Sequence, residues 1–316
     1  MKSKKMIGRG IAIGLIVAVL FISITYFRDM NRAYKRVDGK STIIPSPYGD
    51  IEYTEGGSGN AVLVIHGSGG GFDQGELLAQ TLLGNQFHWI TPSRFGYLRS
   101  TFHGNATFDD QAHAYAYLLD RLGISKVAVV ALSHGGPSAL LFAVLHPERV
   151  SSLTLISCGV TPSSDQDQAQ ANKKGEMLKT IFKYDVIYWA ISKIFKKQLM
   201  GLMGVTDAVI AGLNAQQREL INRFIDEMNP VSLRASGASF DNKAVLPGAR
   251  IAAIRAPTLI FHAIDDKLQL YHNAAFAAST IPGAKLCRFE KGGHFLMGVE
   301  LPTIRKMVQK NILEHQ

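Results

Sequence analysis

Three short segments carry side chains that could act together. In "VVALSHGGPSAL" (129–140), Ser133 stands between an apolar β-branched run and a helix-like run, with His134 beside it and two glycines after. In "LIFHAIDDKL" (259–268), Asp265 and Asp266 follow an apolar stretch, and in "EKGGHF" (290–295) His294 follows two glycines. A serine hydroxyl is a weak nucleophile that needs a base, and an imidazole base needs a carboxylate to fix its tautomer. Serine, carboxylate and histidine, in that chain order and each just beyond an apolar run, suit acyl transfer. Either aspartate could serve, since both follow the same run.

Such residues must be held by elements that end where the chemistry begins. Apolar runs at 61–66, 87–92, 126–133, 151–157, 257–263 and 284–290 read as strands, most of them near-continuous, as in a parallel sheet covered on both faces. Helical stretches near 75–83, 107–122, 135–146, 269–280 and 300–313 alternate with them, and "YGDIEYTEGG" (48–57) reads as an antiparallel opening strand. The alternation stops between about 161 and 248, where helical segments follow a polar loop, so a helical cap is expected there. Ser133 then sits on a sharp strand-to-helix turn, with the small residues Ala131 and Gly135 two before and two after it. Pro137 lies in the first helical turn, where proline is tolerated. The N–H of His134 would face developing oxyanion charge at that helix start.

These motifs together resemble the α/β-hydrolase superfamily over about residues 48 to 313. "HGSGGGFDQG" (66–75) resembles its oxyanion loop, "SRFGYLRST" (93–101) the glycine-containing loop after its fourth strand, "ALSHGG" its nucleophile elbow, and "PTLIFHAIDDKL" with "GGH" its acid and base segments. The resemblance implies an α/β-hydrolase fold, with a mostly parallel central sheet, helices on both faces and a helical cap. It also implies Ser133 as nucleophile, Asp266 as acid and His294 as base. For the oxyanion hole it implies the N–H groups of Ser68 and His134, with Gly69 a near alternative. Ala131, Ser93 and Ala263 depart from the family pattern without removing a catalytic group. His66 is expected to brace the oxyanion loop and His262 to be a satisfied core histidine. No ligand spacing completes a metal site, and the implied route needs no cofactor or metal.

The 316 residues carry a net charge of +9, which would suit a nucleic-acid partner if it were spread over the body. It is not. Residues 1 to 36 hold eight Lys and Arg against Asp29 alone, a net +7, leaving +2 for the rest, so no nucleic-acid partner is expected. These charges flank "GIAIGLIVAVLFISITYF" (10–27), an uncharged run of about 27 Å as a helix, enough to cross a bilayer core. No small-x-small cleavage site follows it. The organisation expected is a membrane anchor with basic flanks (1–36), a linker (37–47), a hydrolase core (48–160 and 249–316) and the cap (161–248). The short basic N-terminus places the body outside the cytoplasm. A chain beginning near Asp38 is expected to be soluble and active, because every motif follows the anchor.

Cys158 and Cys287 match no metal spacing and read as small buried residues. Segment 177–197 mixes apolar residues with Lys179, Lys183, Lys193, Lys196 and Lys197, as a packed cap helix or one lying on anionic lipid would. The function expected is a membrane-anchored serine hydrolase that cleaves an apolar carboxylic ester, or a similar acyl bond, through an acyl-enzyme. A carbon–carbon bond hydrolase of the same fold, suggested by the "HGSGGG" loop, and a catalytically silent receptor or scaffold are the alternatives.

Overall fold

A computed structural model describes residues 2–162 and 166–316. The chain opens with one long helix, α1 (Lys2–Val37), and then builds an eight-stranded sheet. In chain order the core contains β1 (Thr42–Ile44), β2 (Ile51–Gly56), β3 (Ala61–Ile65), α2 (Phe72–Leu82), β4 (His88–Pro92), α3 (Phe108–Arg121), β5 (Val127–Leu132), α4 (Gly136–Leu145) and β6 (Val150–Ile156). Six helices interrupt it: α5 (Gln166–Ile181), α6 (Asp185–Ile194), α7 (Lys196–Leu202), α8 (Asp207–Gly212), α9 (Ala215–Asp226) and α10 (Ala235–Lys243). The core resumes with β7 (Thr258–Ala263), α11 (His272–Thr280), β8 (Lys285–Phe289), α12 (Leu296–Val299) and α13 (Leu301–Glu314).

The strand order is β1-β2-β4-β3-β5-β6-β7-β8, antiparallel through β1, β2 and β4 and parallel from there on. The apolar runs become strands because both faces are covered. On one face Val129 and Leu153 pack with α3, α4 and α11, and on the other Val62, Val64 and Val130 pack with α2 and α13. β1 falls inside the segment read as linker. Two of its three residues are exposed, and it is held by pairing with β2 rather than by burial.

Two further features depart from the sequence reading. Segment 177–197 is not one helix: Tyr184 takes an extended conformation, and the chain restarts at Asp185 as α6 and again at Lys196 as α7. The basic flank after residue 27 is not a free flank either. α1 runs unbroken to Val37, and Met30, Ala33 and Val37, spaced along one face, are buried against the body. Residues 10–27 of the same helix expose their apolar side chains, Ile11 to 61% and Phe21 to 71%.

Candidate active site

The centre of the parallel sheet delivers the serine. β5 ends at Leu132, and Ser133 takes φ 53°, a left-handed conformation costly for a residue with a Cβ, before the chain turns into α4. So tight a turn leaves little room behind it. A Cβ on Gly135 would lie 2.7 Å from the carbonyl oxygens of Ile65 and His66, and one on Gly136 would lie 2.5 Å from Cys158 Cβ. Ala131, the departure from glycine, is accommodated fully buried.

His294 reaches the serine from the loop after β8, with Nε2 2.9 Å from Ser133 Oγ and Nδ1 2.9 Å from Asp266 Oδ2. Asp266 is held in turn: its Oδ1 accepts the N–H groups of Leu268 and Gln269, each at 2.9 Å. Asp265 faces elsewhere, accepting the N–H of Gly293 at 2.8 Å and that of Gly292 at 3.3 Å. The adjacent carboxylates therefore have separate tasks. Asp266 holds the imidazole, and Asp265 holds the loop that carries it. The insertion adds a support the sequence did not reveal: the His294 N–H donates to Met203 O at 2.8 Å, beyond the end of α7.

The glycine-rich loop 67–71 approaches from the other side. A Cβ on Gly67 would sit 3.0 Å from Ser133 Cβ, so glycine permits the close approach. Ser68 and His134 line the cleft beside Ser133, while Gly69, at φ 77°, lies against Phe182 and Met228. The His134 N–H belongs to the first turn after the strand, where backbone donors lack a helical partner. Its ring, kept neutral by burial, contacts Gln269 Nε2 at 3.1 Å.

His66 braces this loop. It accepts the Arg94 N–H at Nε2 (2.9 Å), so its proton is on Nδ1, which donates to Gly67 O at 2.7 Å. Burial, with the Arg94 charge, lowers its pKa to about 3. His262 is a core histidine but only half satisfied: Nε2 donates to Gln269 O at 2.7 Å, while Nδ1 has no partner among the described residues. Among the described residues no cluster of His, Cys, Asp and Glu could hold a metal ion, and Cys158 and Cys287 are free thiols, the first buried and the second half-buried.

Two buried arginines were not singled out from the sequence, because nothing local marks a cation for the interior. Arg94 forks onto Asp241 of α10 at 2.6 and 2.7 Å, and Tyr97 Oη donates to the same carboxylate at 2.5 Å while meeting Ser68 Oγ at 3.0 Å. Arg234 forks onto Asp73 at the start of α2, at 3.0 and 2.8 Å. Both pairs join the core to the insertion on either side of the glycine loop. Ser93, another departure, donates to the buried Glu52 at 2.9 Å, so β2 supplies a carboxylate at that turn.

The cleft above Ser133 encloses ≈ 960 Å³, part of it open to solvent. Its walls are mainly apolar, with Leu178, Phe182, Ile221, Phe224, Met228 and Met297 among them. Gln74, Asn242 and Lys179 are the polar exceptions beyond the site itself, and Lys179 is already paired with Glu176. Three more of the basic residues in 177–197 are also paired: Lys193 with Asp29 and Asp226, Lys196 with Asp226, and Lys197 with Asp207.

The chain resembles known proteins along most of its length. It is 30% identical over 260 residues to the uncharacterized hydrolase YcgS of Bacillus subtilis (strain 168), covering 78% of this chain and 89% of that one. It is 26% identical over 255 residues to a 2-hydroxy-6-oxo-6-phenylhexa-2,4-dienoate hydrolase of Comamonas testosteroni, covering 78% and 85%. Among solved structures, an alpha/beta hydrolase fold protein from Nakamurella multipartita superposes with a TM-score of 0.67 at 24% identity, over 86% of this chain and 98% of that one. A bacterial membrane phospholipase A described as a virulence factor superposes at 0.66 and 20% identity, over 98% of both chains. Those two likenesses speak to the fold alone. A family model described as alpha/beta hydrolase fold matches residues 60–301, and with the parallel sheet and the serine at its turn, the chain belongs to that family.

Proposed function

We propose that this protein is a membrane-anchored serine hydrolase that cleaves a carboxylic ester with an apolar acyl group through an acyl-enzyme intermediate. The observation that carries the reading is the unbroken line Ser133 Oγ, His294, Asp266, at 2.9 Å for each step, at the floor of an apolar cleft. Ser133 Oγ attacks the ester carbonyl as His294 Nε2 takes its proton. The oxyanion forms against the N–H groups of Ser68 and His134, with Gly69 adjacent. As it collapses, the alcohol departs with the proton from His294 and the acyl group stays on Ser133. Water then attacks the acyl carbon, His294 takes and returns a proton, and the acid is released. Asp266 keeps the ring in the tautomer that presents Nε2 as acceptor. The route uses the chain's own groups and water.

The anchor is the exposed apolar stretch of α1 at residues 10–27, and its basic N-terminal flank favours a body outside the cytoplasm.

A second reading, hydrolysis of a carbon–carbon bond, is favoured by relatives named as 2-hydroxy-6-oxo-dienoate hydrolases. Those names describe substrates bearing a carboxylate. Among the described residues lining the cleft, Lys179 is the one Lys or Arg and is paired with Glu176, so the apolar ester suits these walls better. A fluorophosphonate probe together with p-nitrophenyl esters of graded chain length tests the proposal. Labelling at Ser133, ester turnover that rises with acyl length, and loss of both in Ser133→Ala by about 10⁴-fold or more are expected. Faster turnover of a 2-hydroxy-6-oxo-dienoate than of any ester would transfer the assignment to the second reading. Absence of labelling and of all turnover would favour a silent receptor.

A further inference from the structure

The end of the anchor helix is wired to the glycine loop. Arg36, in the last turn of α1, donates Nε to Asp73 Oδ2 at 3.1 Å and Nη2 to the carbonyls of Glu227 (2.7 Å) and Asn229, just after α9. Asp73 stands at the start of α2, directly after the loop 67–71, and its other partner is the buried Arg234. Arg234 Nη1 then donates to Gly70 O at 2.6 Å, inside that loop. Arg36, Asp73, Arg234 and Gly70 therefore form a continuous run of charge-assisted bonds from the anchor to the segment carrying the Ser68 and Gly69 N–H groups.

Each link is constrained. A Cβ on Gly71 would come within 2.8 Å of Arg234 Nη1, so the guanidinium packs against the loop backbone itself. Burial works to raise the Asp73 carboxyl, and the two guanidiniums overcome it, holding the group below the usual carboxylate range. Asp73 thus stays ionised between two cations. Without Arg36, Asp73 and the Asn229 carbonyl would lose a donor, Glu227 O would keep only Arg234 Nη2 at 3.1 Å, and the pair on Gly70 would be free to shift.

We propose that Arg36 is a positioning residue for the oxyanion loop, so that the seating of the anchor helix on the body sets the rate of the chemical step. The proposal rests on the serine-hydrolase reading of the site. α1 also touches the body through contacts that do not lead to the loop: Trp189 Nε1 donates to Asp29 Oδ2 at 3.1 Å, and Lys193 lies 3.6 Å from the same carboxylate. These supply an internal control.

The test uses the full chain in detergent micelles, with p-nitrophenyl butyrate as substrate and an alkyl boronic acid as an analogue of the tetrahedral species. Arg36→Gln is expected to lower kcat by about ten- to a hundredfold with KM within about twofold, because misplaced oxyanion donors affect the transition state more than the bound ester. Affinity for the boronic acid should fall in parallel, Arg36→Lys should lose less than Arg36→Gln, and Asp29→Asn should keep the wild-type kcat. Arg36 is 28% exposed at a helix end, so the fold should tolerate both changes. An unchanged kcat in Arg36→Gln, a rise in KM alone, or an equal loss in Asp29→Asn would overturn the proposal. Ser133→Ala, measured alongside, separates the two readings. A rate that survives in Ser133→Ala would count against the hydrolase assignment, and a Ser133-dependent rate indifferent to Arg36 would count against the positioning role alone.

Discussion

β5 and β7 bring Ser133 and Asp266 to the cleft from strands packed on both faces, whereas α6 and α7 leave Val186, Ile187, Ile194, Phe195 and Leu202 exposed. The sheet fixes its chemistry by burial that any shift of register would disrupt. The insertion has its own apolar cluster around Tyr188, Ile221 and Ile225, and it is joined to the core beside the site by ion pairs such as Arg94–Asp241 and Arg234–Asp73. The proposed reacting groups thus stand on the doubly covered sheet, and much of the cleft wall on a part joined to it by these directional bonds and by the apolar side chains of Leu220, Phe224 and Phe240. Changes in the first region should appear as lost rate, and changes in the second as lost stability or altered surface binding.

After Ser133 itself, the largest effect should come from the pair of aspartates after β7. Asp266→Asn is expected to lower kcat about 10³- to 10⁴-fold, because an amide cannot hold the same imidazole tautomer. Asp265→Asn should cost about tenfold, since it loosens only the backbone of Gly292 and Gly293. Steady-state turnover of one ester by both variants measures the gap, and a reversed order would move the acid to Asp265. A smaller effect, on stability, should follow from shortening α1. A chain beginning at Arg28 keeps Met30, Ala33 and Val37 buried, and one beginning at Asp38 loses about 3–5 kcal/mol of that burial. The chain from near Asp38, expected from the sequence to be soluble and active, should therefore be less stable, and without Arg36 its turnover should fall as in Arg36→Gln. Its thermal midpoint should lie about 10 °C below that of the longer chain, and equal midpoints would make the helix end a passive stalk.

The smallest effect concerns the lysines of 177–197. Four of the five are neutralised by neighbours, and Lys183 is exposed with no ion pair among the described residues. Replacing Lys183 by glutamine in the chain beginning at Arg28 should weaken binding to anionic vesicles about fivefold, with neutral vesicles unaffected, and replacing Lys196 should change less. Equal binding by all three proteins would return the segment to an ordinary packed set of helices.

The same contrast governs what could be read from the sequence. Strands such as "AVLVIH" and "PTLIFHA" announce themselves because parallel strands covered on both faces must be apolar throughout. β1 does not, being three residues held by hydrogen bonds rather than burial. Ser133 and His294 are legible because a tight turn and a glycine pair mark them locally. The division of labour between Asp265 and Asp266 is not marked locally, since adjacent carboxylates carry the same chemistry; the family resemblance points to Asp266, and the task of Asp265 is visible only in the loop packed against it. Arg36, read as part of a basic flank, and Arg94 and Arg234 depend on partners far along the chain, where residue type and spacing carry no signal.

If residues 10–27 anchor the protein as proposed, the continuity of α1 has a mechanical consequence. Ten residues separate Phe27, at the end of the apolar stretch, from Val37, a helical rise of about 15 Å, and the last turns are clamped to the body. The domain therefore stands on a post rather than a leash. So anchored, it could not sweep the hemisphere that a flexible tether of equal length would allow, and helix pitch would fix the height of its cleft above a bilayer. Each residue added to that post would raise the domain by about 1.5 Å and turn the cleft by about 100°, so post length sets the compass bearing of the enzyme.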